Sequence, residues 1–138
     1  MRKVRFARPV LAVLLLATLS AAPASGQRRP LTMLDQLVEG RWELRLRGAD
    51  RRQIERICLR DGRGLIQLRH PEQPCDRLVV EDSPTSVTVQ YTCRGRGYGR
   101  THIRMESDEL VQLESQGIAG GLPFDFAAEG RRVGGCEQ

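Results

Sequence analysis

Hydrophobic and polar side chains alternate along several short segments of the chain. The segment RWELRLR, at 41–47, places Trp42, Leu44 and Leu46 on one side and charged residues on the other, which is typical of a half-buried strand. Further strands are predicted at 52–59, 76–81, 87–93, 100–106, 110–115 and 123–129, and residues 131–133 continue the last of them towards Cys136. Short strands separated by frequent turn signals predict a mainly β domain: an antiparallel meander forming a curved sheet or partly closed barrel of about six to seven strands.

Two segments depart from this alternation and predict short helices. Thr32 can cap an N-terminal helix, apolar side chains recur at helical spacing within 33–38, and Gly40 can end it. Asp61 could cap a second short helix over 61–69, although two glycines in that segment weaken the prediction.

Residues 1–26 have the organisation of a secretory signal peptide. A basic start precedes the uncharged apolar run VLAVLLLATL at 10–19, and small residues follow. Ten apolar residues are too few for a membrane-spanning helix, which needs about 20. We therefore expect cleavage after Ala24 or Gly26, no transmembrane segment after cleavage, and a single β domain at 27–138 in the periplasm or outside the cell.

The charge of the chain belongs mostly to this leader. The whole sequence has a formal charge of +5, with 22 basic and 17 acidic residues. Four of the basic residues and none of the acidic ones lie in 1–26, which leaves 18 basic against 17 acidic residues. Nucleic-acid-binding domains usually have a clear basic excess, so we expect no nucleic-acid partner.

Four cysteines in an exported domain predict two disulfide bonds. The gaps between Cys58, Cys75, Cys93 and Cys136 are 16, 17 and 42 residues, unlike the close pairs of a zinc site. Cys75 and Cys93 lie symmetrically about Pro84, so a hairpin that turns there would bring them within disulfide reach. That pairing leaves Cys58 to bond Cys136.

The register of this hairpin has two solutions. The symmetric register places Arg77 opposite Tyr91 and sends Leu78 to the other face. An offset of one residue would pair Leu78 with Tyr91 and Val80 with Val89, and the apolar pattern favours that offset.

The stretch TCRGRGYGR, at 92–100, contains three alternating glycines. A phosphate-binding glycine loop needs a helix after it, whereas an alternating strand pattern follows here. We interpret the stretch as a glycine-rich connection between strands. A solvated patch for anionic envelope components is the remaining functional option, and its residues would be Arg94, Arg96, Tyr98 and Arg100.

Other candidate chemistry is sparse. The two histidines are His70, in a predicted loop before a proline, and His102, on the polar side of a strand. No residue order suggests a catalytic set, a metal or a cofactor. The leading hypothesis is a non-enzymatic binding module for an apolar or anionic envelope ligand. The alternatives are a structural or protein-interaction module, and a hydrolase or isomerase using His102 or His70.

Several stretches together resemble the exported bacterial proteins of domain-of-unknown-function family 3617. The matching stretches are GRWELR at 40–45, ICL at 57–59, Cys75, YTCRGRGYGRT at 91–101 and EGRRVGGC at 129–136. The chain departs from the family pattern at Arg60, where threonine is common, and it lacks a Met-rich segment after the first strand. The resemblance implies a periplasmic, disulfide-bonded β domain and supplies no activity.

Overall fold

A single antiparallel sheet of seven strands forms the protein. The computed structural model describes residues 30–48 and 53–136, so the predicted signal peptide at 1–26 lies outside the described residues. The strands are β1 (Gly40–Arg47), β2 (Ile54–Leu59), β3 (Cys75–Asp82), β4 (Ser86–Cys93), β5 (Gly97–Ser107), β6 (Leu110–Ala119) and β7 (Leu122–Gly134). Their order in the sheet is β2-β1-β7-β6-β5-β4-β3. The prediction of a mainly β domain with antiparallel strands is confirmed, and the sheet is open, with β2 and β3 at its two edges.

The connection between β2 and β3 takes the chain from one edge of the sheet to the other. Residues 60–74 cross one face, which we call the inner face, and place Leu65 and Ile66 in the core. Strands β3 to β7 then form a meander that returns to pair with β1. The hydroxyl of Thr101 on β5 donates to the carbonyl of Ile66 at 2.6 Å, which ties the connection to the sheet.

The N-terminal segment packs on the same inner face. Met33 and Leu34 are fully buried there, together with Trp42 of β1. The predicted helix is one 3-10 turn, Leu34–Gln36, whose N-cap is Met33 without a side-chain cap, so the prediction of Thr32 as the cap was wrong. The predicted helical segment, 33–38, is too short to form a stable α-helix by itself, so tertiary packing holds the 3-10 turn.

The second predicted helix is also a single 3-10 turn, Gly62–Leu65. The carboxylate of Asp61 accepts a hydrogen bond from the backbone N–H of Arg63 at 2.8 Å, as expected for a cap. Gly62 lies against the first turn, because a β-carbon on it would be 2.3 Å from the carbonyl oxygen of Leu34. The two turns therefore pack backbone to backbone over the inner face.

Both predicted disulfide bonds are present, and each ties an edge strand to the sheet. Cys58 of β2 bonds Cys136, with 5.5 Å between their α-carbons. Cys75 of β3 bonds Cys93 of β4, its direct partner in the hairpin.

The disulfide end of the β3–β4 hairpin has the symmetric register, so the offset that the apolar pattern favoured is wrong there. Arg77 lies opposite Tyr91 in the symmetric register, and Leu78 lies on the other face with 64% of its surface exposed. The pairing shifts by one residue between Val79 and Glu81. This bulge at Val80 allows the disulfide and the turn to have different registers.

The segment GIAGG at 117–121 is mostly strand. Gly120 and Gly121 alone form the loop between β6 and β7, with φ values of +57° and +80°. Positive φ at both central residues is what the tight two-residue hairpin turn requires, and glycine adopts it without a steric cost.

Candidate functional site

The glycine-rich stretch at 92–100 forms a turn followed by the start of β5. Residues 94–96 are the turn, closed by a hydrogen bond from the N–H of Arg96 to the carbonyl of Cys93 at 3.0 Å. Gly97 and Gly99 belong to β5. A β-carbon on Gly99 would lie 2.4 Å from the hydroxyl oxygen of Tyr91, so this glycine makes room for the buried tyrosine ring. Gly97 and Gly99 therefore allow close packing between strands, whereas Gly95 has the positive φ of +68° that the turn requires.

The four residues of the predicted anionic-ligand patch lie in two places. Arg94 and Arg96 are exposed at the turn and line a groove of about 440 Å³ beside Asp76. Tyr98 and Arg100 are two residues apart on β5, so both lie on the outer face, which is the face of the sheet opposite the core. The structure therefore does not gather the four side chains around one point.

His70 is buried on the inner face with 4% of its surface exposed. Its Nε2 lies 3.2 Å from the carbonyl oxygen of Arg96, and its Nδ1 lies 3.3 Å from the hydroxyl of Tyr91. Since a carbonyl only accepts, Nε2–H donates to Arg96 and Nδ1 accepts from the phenol. Burial raises the pKa of the Tyr91 phenol, which keeps the hydroxyl proton that this hydrogen bond needs. The arrangement holds the 60–74 connection against the glycine turn.

His102 lies on the outer face beside a hydroxyl and a carboxylate. Its Nδ1 is 2.9 Å from the hydroxyl oxygen of Thr88 and 3.8 Å from a carboxylate oxygen of Glu81. The Thr88 hydroxyl donates to Glu81 at 3.0 Å, so it accepts from the N–H of His102. Hydrogen bonds from Ser86 and then Thr88 lower the pKa of Glu81. The carboxylate therefore orients the imidazole through an intervening hydroxyl.

A groove runs along the connection from β2 to β3. This edge groove has a volume of about 1130 Å³. Its apolar side chains are Ile57, Leu59, Leu68, Pro71 and Pro74, and its charged side chains are Arg60, Asp61, Arg63, Glu72 and Arg77. An apolar wall with several guanidinium groups is suited to a ligand that has an apolar part and an anionic part.

Arg77 is held at the edge groove by the side chain of Gln67. One of its terminal nitrogens donates to the side-chain oxygen of Gln67 at 2.8 Å. Gln67 is itself buried, and its amide nitrogen donates to the carbonyls of His70 and Gln73, both at 2.9 Å. The amide is thereby held with its oxygen towards Arg77.

The charge of Arg77 is not neutralised by any carboxylate of the described residues within ion-pair distance. Burial and then the nearby charge of Arg63 lower its pKa, as expected of a cation without a close counter-ion. Arg63, by contrast, forms ion pairs with Asp35 and Asp61 and donates to the carbonyl of Pro30. An arginine side chain has five N–H donors, and only one of those on Arg77 is used within the described part of the chain.

The sequence contained one signal for this site. The symmetric hairpin register places Arg77 opposite Tyr91, on the face that packs towards the core. The offset register would have sent Arg77 to the outer face, so the site depended on choosing the register correctly. The contribution of Gln67 had no sequence signal, because only the path of the 60–74 connection brings its amide to Arg77.

Comparisons with protein families, curated proteins and solved structures find no match to the chain. The resemblance to family 3617 therefore stays a prediction. Within residues 30–48 and 53–136, no helix is both long and apolar enough to cross a membrane. The same residues contain no cluster of three or more histidine, cysteine, aspartate or glutamate side chains suited to a metal ion.

Proposed function

We propose that the protein is an exported binding module that holds an anionic amphipathic molecule of the cell envelope in the edge groove. The observation that carries the proposal is Arg77: its side chain is accessible at the groove, its guanidinium is held by Gln67, and its other donors are left for a ligand. A carboxylate or phosphate group would supply the acceptors and the counter-charge, through hydrogen bonds that are stronger than neutral ones. Ile57 and Leu68 would contact the apolar part of the ligand.

The charge of the groove supports an anion. Arg63 and Asp61 neutralise each other in an ion pair, with Asp35 as a further partner outside the groove. Arg60 and Arg77 then face the one remaining acidic side chain of the groove, Glu72. Since neither Arg60 nor Arg77 forms an ion pair within the described residues, their charges favour an anionic ligand over a neutral one of the same shape.

Export is the second part of the proposal. The leader-like segment at 1–26 supports it, and so do the two disulfide bonds, which form and persist in oxidising compartments such as the periplasm. An envelope amphiphile is the kind of ligand available there.

The test measures binding of dodecanoate, with a dodecyl oligo(ethylene glycol) ether as a neutral, sugar-free amphiphile of equal chain length. We expect dodecanoate to raise the melting temperature of the mature protein and to bind saturably in calorimetry. Arg77→Gln should weaken this binding about tenfold or more, because it removes a charge-assisted interaction of roughly 1.5–3 kcal/mol.

The matched control is Arg104→Gln, which removes an arginine of the outer face that pairs with Glu106 at 2.9 Å. This variant should bind dodecanoate like the wild type. The proposal is wrong if the neutral dodecyl ether stabilises the protein as well as dodecanoate does, or if Arg77→Gln binds dodecanoate with unchanged affinity.

A further inference from the structure

We infer that the outer face of the sheet carries a second binding site, for a neutral, hydroxyl-rich ligand of the size of a sugar ring. The site is a groove of about 410 Å³ around Tyr98, Arg100 and Asp125, which we call the outer-face groove. It shares no lining residue with the edge groove, so the inference does not depend on the proposed function.

Most polar side chains of the outer face bond to one another. The pairs are Glu43 with Arg56, Thr88 with His102 and Glu81, Arg104 with Glu106, and Gln112 with Glu129. These contacts satisfy much of the hydrogen-bonding capacity of the face within the protein itself.

One row across four strands differs from these pairs. Gln90, Arg100, Gln116 and Asp125 are direct neighbours on β4, β5, β6 and β7. All four line the outer-face groove. None of the four side chains forms a hydrogen bond or ion pair with another residue of the described parts of the chain. The row thus presents a guanidinium, two amides and a carboxylate to one groove, and their hydrogen-bonding groups are available to a ligand.

The donors and acceptors of this row are mixed in a way that suits hydroxyl groups. The guanidinium only donates, the carboxylate only accepts, and each amide does both. A hydroxyl also donates and accepts, so adjacent hydroxyls on a ring can bond several members of the row at once. The charges of Arg100 and Asp125 cancel, and the carboxylate would repel an anion. A neutral polyhydroxylated ligand therefore fits the row better than the anionic one predicted for Arg100 from the sequence.

The shape of the groove supports a ring-shaped ligand. Gly99 and Gly117 face each other on β5 and β6 and line the groove between the row and Tyr98. Tyr98 has 51% of its surface exposed, and its ring offers an apolar surface beside these polar groups. A sugar ring has an apolar C–H face and a polar rim, so it can pack on the tyrosine while its hydroxyls reach the row.

The test follows amide signals of the isotope-labelled mature protein by NMR during titration with maltose and with the disaccharide of N-acetylglucosamine. We expect at least one of these sugars to move the signals of Gly99 and Gly117 and the side-chain amides of Gln90 and Gln116, saturably and at millimolar concentration. Tyr98→Ala should weaken this binding about tenfold or more, which corresponds to about 1.4 kcal/mol.

Two controls separate the ring from other effects. Tyr98→Phe keeps the ring and should retain the affinity within a few-fold. Thr92→Ala changes the cross-strand neighbour of Tyr98, which does not line the groove, and should also bind like the wild type. The inference is overturned if neither disaccharide gives saturable shifts, if Tyr98→Ala binds unchanged, or if inorganic sulfate moves the same amides at lower concentration than the sugars.

Discussion

Removal of the Cys58–Cys136 disulfide bond should lower the free energy of unfolding more than removal of the Cys75–Cys93 bond. The bond joins the edge strand β2 to the residues that follow β7, and it closes a loop with a sequence separation of 78. Both cysteines are exposed, so a Cys58→Ala/Cys136→Ala variant creates no cavity in the core. The measured effect should therefore come almost entirely from the lost covalent link.

The magnitude follows from the entropy of the unfolded chain. A loop of that length restricts the unfolded ensemble by about 4.5 kcal/mol, whereas the Cys75–Cys93 loop, with a separation of 18, restricts it by about 3 kcal/mol. Small domains unfold with a free energy of about 5–15 kcal/mol, so the longer bond is a large part of the total. With a urea dependence of roughly 2 kcal/mol per molar, the unfolding midpoint should fall by about 2 M.

The assay is urea unfolding of the oxidised mature protein, followed by circular dichroism, for the wild type and the Cys58→Ala/Cys136→Ala variant. The native-state spectrum of the variant should match that of the wild type, because the sheet itself is unchanged. A loss of less than about 1 kcal/mol would refute the loop-entropy reasoning. It would mean that the unfolded chain is already compact around these two residues.

Two further predictions concern packing and pH. Gly99→Ala should destabilise the protein by about 1–3 kcal/mol in the same unfolding assay, because the new β-carbon would lie 2.4 Å from the hydroxyl oxygen of Tyr91. Gly135→Ala is its control and should be nearly neutral, since nothing lies within 4 Å of a β-carbon there. Hydrogen bonds, first of all from Ser86, lower the pKa of Glu81 below its ordinary value of 4.5, so the stability it contributes is present above pH 4.5 and is lost as the pH falls through the lower folded pKa. Glu81→Gln should therefore show a weaker loss of stability below pH 4.5, and equal acid dependence in both proteins would contradict this.

Alternation of apolar and polar residues was sufficient to predict the β class and most of the strands. It worked best in β1, where Trp42 and Leu44 are buried and the charged side chains between them face outwards. It underestimated the lengths of β5 and β6, because glycine has no side chain that could show which face is buried. The pairs Gly97 with Ala119 and Gly99 with Gly117 continue the ladder where the hydrophobic signal stops.

The same reasoning failed where a tertiary constraint outweighed the local pattern. Leu78 is exposed because the disulfide fixes Cys75 opposite Cys93 and thereby sets the register of its end of the hairpin. The N-terminal segment has helical spacing but is too short to form an α-helix, so packing on the inner face decides its form. The path of residues 60–74 across the sheet, which brings His70 to Tyr91, is a consequence of topology and has no signal in local periodicity.

The two edges of the open sheet explain why the disulfide bonds are where they are. An edge strand exposes unpaired backbone groups, and natural proteins protect such edges with bulges, charges or coverings. Here β3 has a bulge at Val80, and each edge strand is bonded covalently to residues outside it. The core is continuous without these bonds, since Trp42, Tyr91 and Ile103 pack in one cluster across the inner face. Oxidation therefore secures the edges of this sheet, while apolar burial secures its centre.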